Sequence, residues 1–239
     1  MSGPYNRAFF DGHNAGVDRS ARVIVPMLID ALHPQSVIDV GCGTGTFLAA
    51  FREAGVTDVS GVDGDYVDRA VLEIPAASFD AVDLNEPFHR DRTYDLALSL
   101  EVAEHLKAAR SESFVEDLTR LAPVVCFSAA IPGQGGTNHI AERWQDEWAA
   151  MFRSHGFMPT DMVRDRLWDD ARIQPWYAQN LVVYTRDATI ASTVEPPRRV
   201  VHPGVFANRL WEVTRPRSGR EMVSDVRGVL RRRLGRGPS

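Results

Sequence analysis

The stretch Ser36-Val37-Ile38-Asp39-Val40-Gly41-Cys42-Gly43-Thr44-Gly45-Thr46-Phe47-Leu48 constrains the fold of this chain more than any other. Strand-forming residues run into glycines at alternate positions, and an apolar helix start follows. A parallel strand that turns into a helix over a nucleotide-like ligand has this form. Glycine is needed there because the backbone approaches the ligand closely or takes a positive φ. The spacing excludes a dinucleotide fingerprint, which requires Gly-x-Gly-x-x-Gly/Ala. Counted from Gly41 the last position is Thr46, and counted from Gly43 it is Leu48.

Short apolar runs alternate with helical stretches along the chain, which implies βαβ units and a parallel-rich sheet covered on both faces. A helix is expected over residues 14–32, ending before Pro34. Strands are expected at 36–40, 56–62, 79–83, 94–100 and 123–129. A helix over 46–54 stops at Gly55, and helical segments fill 102–121 with a break near 109–111. After the glycine-rich loop 131–139 come a helix over 142–155 and a closing hairpin of 157–167 with 180–185. Glu195-Pro196-Pro197 marks the end of the compact fold. The expected division is a helical cap at 1–35, a main domain at 36–186, and an appendage with a basic tail at 187–239.

An acid about 20 residues past a glycine turn is the usual partner of ribose hydroxyls, and Asp63 in Gly61-Val62-Asp63-Gly64-Asp65 stands there. Asp65 is better placed to cap the helix that follows. The Asp-x-Gly-x-Gly-x-Gly run from Asp39 through Gly41, Gly43 and Gly45 resembles motif I of the class I S-adenosylmethionine-dependent methyltransferases. The resemblance extends over residues 36–186. It implies a Rossmann-like α/β fold with a mostly parallel seven-stranded sheet and helices on both faces, and S-adenosylmethionine as cofactor. Val82-Asp83-Leu84 resembles the family position where the acid accepts from the adenine amino group and the next amide contacts the ring. Tyr94 to Glu101 is similar to motif IV. By the same resemblance Asp39 positions the charged amine of the cofactor. Tyr5, Phe9 and Phe10 either lie over the cofactor or anchor a terminal arm.

Glu101, Glu104 and His105 fall at i, i+3 and i+4, on one face if a helix begins directly after the fourth strand. Two carboxylates and an imidazole make a divalent-metal face suited to Mg²⁺ or Mn²⁺. The Glu101-Val102-Ala103-Glu104-His105 string resembles metal-binding members of the superfamily, among them ubiquinone-pathway O-methyltransferases and small-RNA 3′-terminal methyltransferases. In the RNA group a histidine follows the fifth strand, and His139 holds a comparable place. Three readings stay open. Glu101, Glu104, His105 and His139 hold a metal; or His139 or His105 is a metal-free general base; or Glu101 contacts the cofactor while Glu104 and His105 decorate a helix. His139 is the leading substrate-side candidate, because a glycine loop offers an imidazole little apolar surface to pack against. Trp144, Trp148, Trp176 and Tyr177 are candidate walls of an acceptor pocket.

The string Trp176-Tyr177-Ala178-Gln179-Asn180-Leu181 resembles methyltransferases of bacterial glycan and natural-product pathways, which implies a sugar or polyketide hydroxyl. No Asn/Asp-Pro-Pro-Tyr/Phe string marks amino-directed nucleic-acid methylation. Net charge is −5 over 239 residues, but residues 215–239 hold eight arginines and two acids, leaving about −11 elsewhere. An acidic body argues against a nucleic-acid substrate, whereas the basic tail matches either nucleic acid or an anionic membrane face. No apolar run approaches the roughly 20 residues of a membrane span. Only Cys42 and Cys126 are present, in no ligand-like spacing, and residues 1–7 lack a signal-peptide core. A cytoplasmic setting is the simplest expectation. The motifs leave the oligomeric state open.

Overall fold

The computed structural model describes residues 7–160, 162–190 and 199–215, with side chains from residue 15 onward. Tyr5, the side chains of Phe9 and Phe10, Glu195-Pro196-Pro197 and the basic tail beyond Arg215 therefore lie outside the described residues.

One seven-stranded sheet organises the chain, in the order β3-β2-β1-β4-β5-β7-β6. Its strands are β1 (Ser36–Val40), β2 (Asp58–Asp63), β3 (Phe79–Ala81), β4 (Leu96–Leu100), β5 (Val124–Ser128), β6 (Met158–Thr160) and β7 (Val182–Thr185). Only β7 runs against the others, pairing antiparallel with both β5 and β6. β1 pairs parallel with β2 on one side and β4 on the other. Strand order therefore reverses between β1 and β4, and a crevice opens at their carboxyl ends, where such sheets bind ligands.

The central strands are buried on both faces, which is why they read as continuous apolar runs. Val37 of β1 and Leu96, Leu98 and Leu100 of β4 pack beneath α1 (Arg7–Leu32) and α2 (Thr46–Glu53). Ile38, Val40 and Ala97 face the other way, against α3 (Ser111–Leu121) and α4 (Gln145–Ser154). α1 contributes Ile24, Val25 and Leu28 to the core, each 0% exposed. Ser20 Oγ in α1 accepts from the Gln174 amide at 2.9 Å, tying α1 to α6 (Pro175–Asn180).

Three expectations are corrected. α1 begins at Arg7 rather than residue 14. No α-helix starts directly after β4. Glu101 takes a left-handed φ of 57°, and two 3₁₀ turns, Ala103–His105 and Ala108–Arg110, precede α3. Residues 157–167 are not one strand, since β6 ends at Thr160 and α5 (Arg164–Leu167) follows. Residues 201–215 pack against the main domain. α7 (Pro203–Thr214) buries Val205 to 5% exposure, and the His202 amide donates to Gln179 Oε1 at 2.9 Å. Among the described residues no helix is long and apolar enough to cross a membrane.

Candidate active site

The glycine turn is held open by its own backbone. Gly41, Gly43 and Gly45 have φ of 88°, 54° and 88°, a region that costs other residues strain. The amides of Gly41 and Cys42 both donate to Val62 O, at 2.7 and 3.2 Å. A Cβ on Gly41 would lie 2.4 Å from Val102 Cγ2. Glu73 braces the far side of the turn, accepting from Thr44 Oγ1 at 2.9 Å and Thr46 Oγ1 at 2.6 Å. That brace is invisible in the sequence, because Glu73 lies almost thirty residues away in an irregular segment.

Two clefts meet at this turn and share Gly41, Gly43, Glu101 and His105. One, of about 760 Å³, is lined by Asp63, Tyr66, Asp83 and Leu84. Asp63 already accepts from Gly43 N at 2.7 Å, from Gly64 N at 2.6 Å and from the Tyr66 hydroxyl. Burial nevertheless raises its pKa against those three bonds. A ribose hydroxyl reaching Asp63 must share or displace the Tyr66 contact, so Tyr66 belongs to this cleft although no motif points to it. Asp83 is exposed; its Oδ1 accepts from the Asn85 amide at 2.9 Å.

The other cleft, of about 440 Å³, is lined by Asp39, Glu101, Glu104, His105, His139 and residues of α6 and α7. Asp39 is 4% exposed, and burial, then the charge of Asp63, pushes its carboxyl up to about 7. A buried carboxylate on the cavity wall has its charge restored by a cationic ligand. The glycine cradle and the Asp39 and Asp63 carboxyls together fit a cationic adenosine compound.

Glu101 projects from its left-handed turn into a network of amides. Its carboxylate accepts from Asn180 Nδ2 at 3.0 Å and Gln134 Nε2 at 3.2 Å. Gln179 Nε2 and Asn180 Nδ2 also donate to Gln134 Oε1, at 2.9 and 3.0 Å. Gln134, Gln179 and Asn180 acquire these roles only because α6 folds back across the end of β4.

Glu104 is fully buried, and neither of its carboxylate oxygens has a hydrogen-bond partner. Burial and then the nearby charge of Glu101 hold its pKa well above the carboxylate range, with the Glu104 and Ala130 backbones opposing weakly. His105 is lowered to about 4 by burial first and His139 second. Its ring meets that of His139 edge to face, with centroids 4.8 Å apart. His139 Nδ1 lies 3.1 Å from Glu142 Oε1, an outer partner of the kind that fixes an imidazole's orientation. One ligand atom each from Glu104, His105 and His139 lies within 4.8 Å of the others.

Glu104 and His105 lie on a 3₁₀ turn rather than a helix, and the loop that ends at His139 is tied back to Glu104 O by the amides of Ile140 and Ala141, so three of the four candidate ligands stand together. Glu101 stands beside the trio, held by amides instead, because its backbone turns the other way. Trp176 and Tyr177 line this cleft. Trp148 does not; it is 2% exposed and packs on Phe127 beneath the sheet. Trp144 is drawn off to Arg199, whose guanidinium lies 5.4 Å from the ring.

A family model described as a methyltransferase domain matches residues 12–160, more than half of the chain, and the chain belongs to that family. It is an S-adenosylmethionine-dependent methyltransferase. No curated protein matches it in sequence. Among solved structures, DesVI of Streptomyces venezuelae is 16% identical with a TM-score of 0.58, over 75% of this chain and 96% of that one. The sugar N-methyltransferase KedS8 from a Streptoalloteichus species is 20% identical with a TM-score of 0.55, over 78% and 94%. The magnesium protoporphyrin IX methyltransferase ChlM from Synechocystis, with bound S-adenosylhomocysteine, is 18% identical with a TM-score of 0.55, over 78% and 90%. These likenesses are likenesses of fold.

Proposed function

We propose that this enzyme methylates a hydroxyl of a small molecule, a sugar or a natural product, with the acceptor held against Glu104, His105 and His139. One observation carries the reading: the fully buried carboxyl of Glu104 stands beside two imidazoles on the wall of a cavity of about 440 Å³. A cavity of that size suits a small acceptor, and the acidic body disfavours a polyanionic one. The sugar N-methyltransferase among the similar structures supports a sugar as the acceptor molecule, with the hydroxyl as acceptor atom resting on the site's own residues.

The cofactor supplies a methyl group already activated on a sulfonium, so the protein's work is alignment, exclusion of water and management of one proton. Asp39 and Asp63, with the amides of the glycine turn, would hold the cofactor, and Asp83 with the Leu84 amide would hold its adenine. The amide network on Glu101 fixes the floor between the two clefts. His105 is neutral at pH 7, given its lowered pKa. If His139 donates its Nδ1 proton to Glu142, its Nε2 carries a lone pair able to accept the hydroxyl proton.

Glu104, His105 and His139 also fit a divalent cation, which when bound would lower the acceptor hydroxyl's pKa. Two imidazoles in the set favour Mn²⁺ over Mg²⁺. The test is a panel of glycosides, phenols and short RNAs with labelled methyl donor, run with chelator and with each metal restored. Methylation of a glycoside or phenol that chelator stops and Mn²⁺ restores is the expected result. Full turnover after chelation removes the metal and leaves His139 as base; methylation of RNA alone overturns the acceptor class.

A further inference from the structure

Arg110 is only 4% exposed, yet it lines neither cleft. A charged side chain buried so deeply is kept there by its partners, and those of Arg110 lie on the loop that leaves β3. Its Nε donates to Leu84 O at 3.1 Å and its Nη2 to Glu86 O at 3.2 Å. Nη2 also meets the Asp117 carboxylate, and Nη1 donates to Ser113 Oγ at 2.7 Å. Asp117 in turn accepts from the Phe88 amide at 3.3 Å. The loop is closed on itself as well, with Glu86 N donating to Asp83 O at 3.0 Å. Asn85 Oδ1 accepts from Lys107 N at 3.0 Å, just ahead of the turn that carries Arg110. Asp83, Leu84 and Asn85 line the cleft of about 760 Å³, and the guanidinium grips their loop from behind.

We infer, on the reading that Asp83 and the Leu84 amide meet the cofactor's adenine, that Arg110 is a positioning residue whose grip on Leu84 O and Glu86 O makes this cleft select adenine over hypoxanthine. Adenine presents an amino donor and a ring-nitrogen acceptor, which match a carboxylate and an amide. Hypoxanthine presents a carbonyl and a ring N–H at the same edge, so both contacts become repulsive. Discrimination of that kind depends on where the two protein groups point. β3 ends at Ala81, so no strand partner aims Asp83 or Leu84. Arg110 supplies the missing constraint. A planar fork reaches two carbonyls and a carboxylate at once, which the compact ammonium of a lysine does not.

Calorimetry with S-adenosylhomocysteine and its deaminated analogue S-inosylhomocysteine tests this without a methyl acceptor. Wild type should prefer the adenine compound about a hundredfold, below the ratios that fully buried polar sites reach. Arg110→Lys should cut that preference about tenfold, by weakening the adenine compound and leaving the hypoxanthine compound nearly unchanged. Arg110→Met and Arg110→Met/Asp117→Asn separate positioning from stability, because the double variant leaves no buried charge alone. Its Tm should exceed that of Arg110→Met, while the preference stays reduced in both. A preference that these variants keep, or one that returns with the Tm in the double variant, overturns the inference and leaves the adenine reading standing. A wild type that binds the two compounds equally overturns the adenine reading, and the role of Arg110 with it.

Discussion

The two clefts that meet at the glycine turn are built in opposite ways. The adenosine side is local, its glycines and Asp63 lying on two neighbouring strands and the turn between them, with Asp39 on the first of those strands at the wall of the next cleft. The acceptor side is assembled at a distance, with Asn180 reaching Glu101 across 79 residues of chain. Asp63 in the first accepts three short hydrogen bonds, whereas Glu104 in the second has its proton held on by burial and by the neighbouring Glu101. The contrast teaches that binding and chemistry are separable here, and substitutions should fail in different ways on the two sides.

The largest effect is expected on the adenosine side. Gly41→Ala forces a side chain into a left-handed turn and against Val102, and about 1–3 kcal/mol of strain adds to the clash. Affinity for S-adenosylmethionine should fall about a hundredfold or more by calorimetry; an unchanged affinity would break the claim that this backbone cradles the cofactor. On the acceptor side, Glu104→Gln should lower kcat/KM by about two orders of magnitude. Cofactor affinity should hold, and the Tm should stay about level, since Glu104 is held in its neutral form by burial and by Glu101 and Gln is a neutral side chain of nearly the same shape. A clear drop in Tm would instead make Glu104 a structural residue.

Proton linkage sharpens the comparison further. Asp39 is raised from 3.8 to about 7, so its native form holds the proton more tightly than the unfolded chain does. That stability is complete below pH 3.8 and is lost as pH rises through about 7. His105, lowered from 6.5 to about 4, acts in the opposite sense: its contribution is present above 6.5 and is lost as pH falls through 4. The difference between wild type and Asp39→Asn isolates the first. The Asn variant should gain on wild type from about pH 4 to pH 7, by up to about 4 kcal/mol, and cofactor should narrow the gap. A gap that does not vary with pH would sink this account of Asp39. The smallest effect is expected at the cavity rim. Arg209→Ala should raise acceptor KM about threefold with cofactor affinity unmoved, and a loss confined to cofactor affinity would place α7 on the wrong cleft.

Sequence spacing makes the adenosine side legible because its chemistry needs particular residues at short, fixed intervals. β1, β4 and β5 read clearly for a related reason: strands buried on both faces are apolar throughout. The acceptor side resists. The apolar spacing after Val102 fits a helix, and nothing local announces that Glu101 turns left-handed and breaks it into 3₁₀ turns. Gln134, Gln179 and Asn180 are ordinary polar residues until α6 and the glycine loop meet. Tyr66, Glu73 and Glu142 act through partners, and partners are tertiary facts. α7 escapes a sequence reading because its apolar positions point outward, contrary to the core-seeking pattern by which helices are recognised.

The backbone at Glu101 has one more consequence. A glutamate held at a φ of 57° opposes folding by about 1–3 kcal/mol, and its carboxylate stands on the wall shared by both clefts. Laboratory evolution that rewards heat tolerance alone should therefore find glycine at position 101 early, and the hardier protein that results should no longer transfer methyl groups.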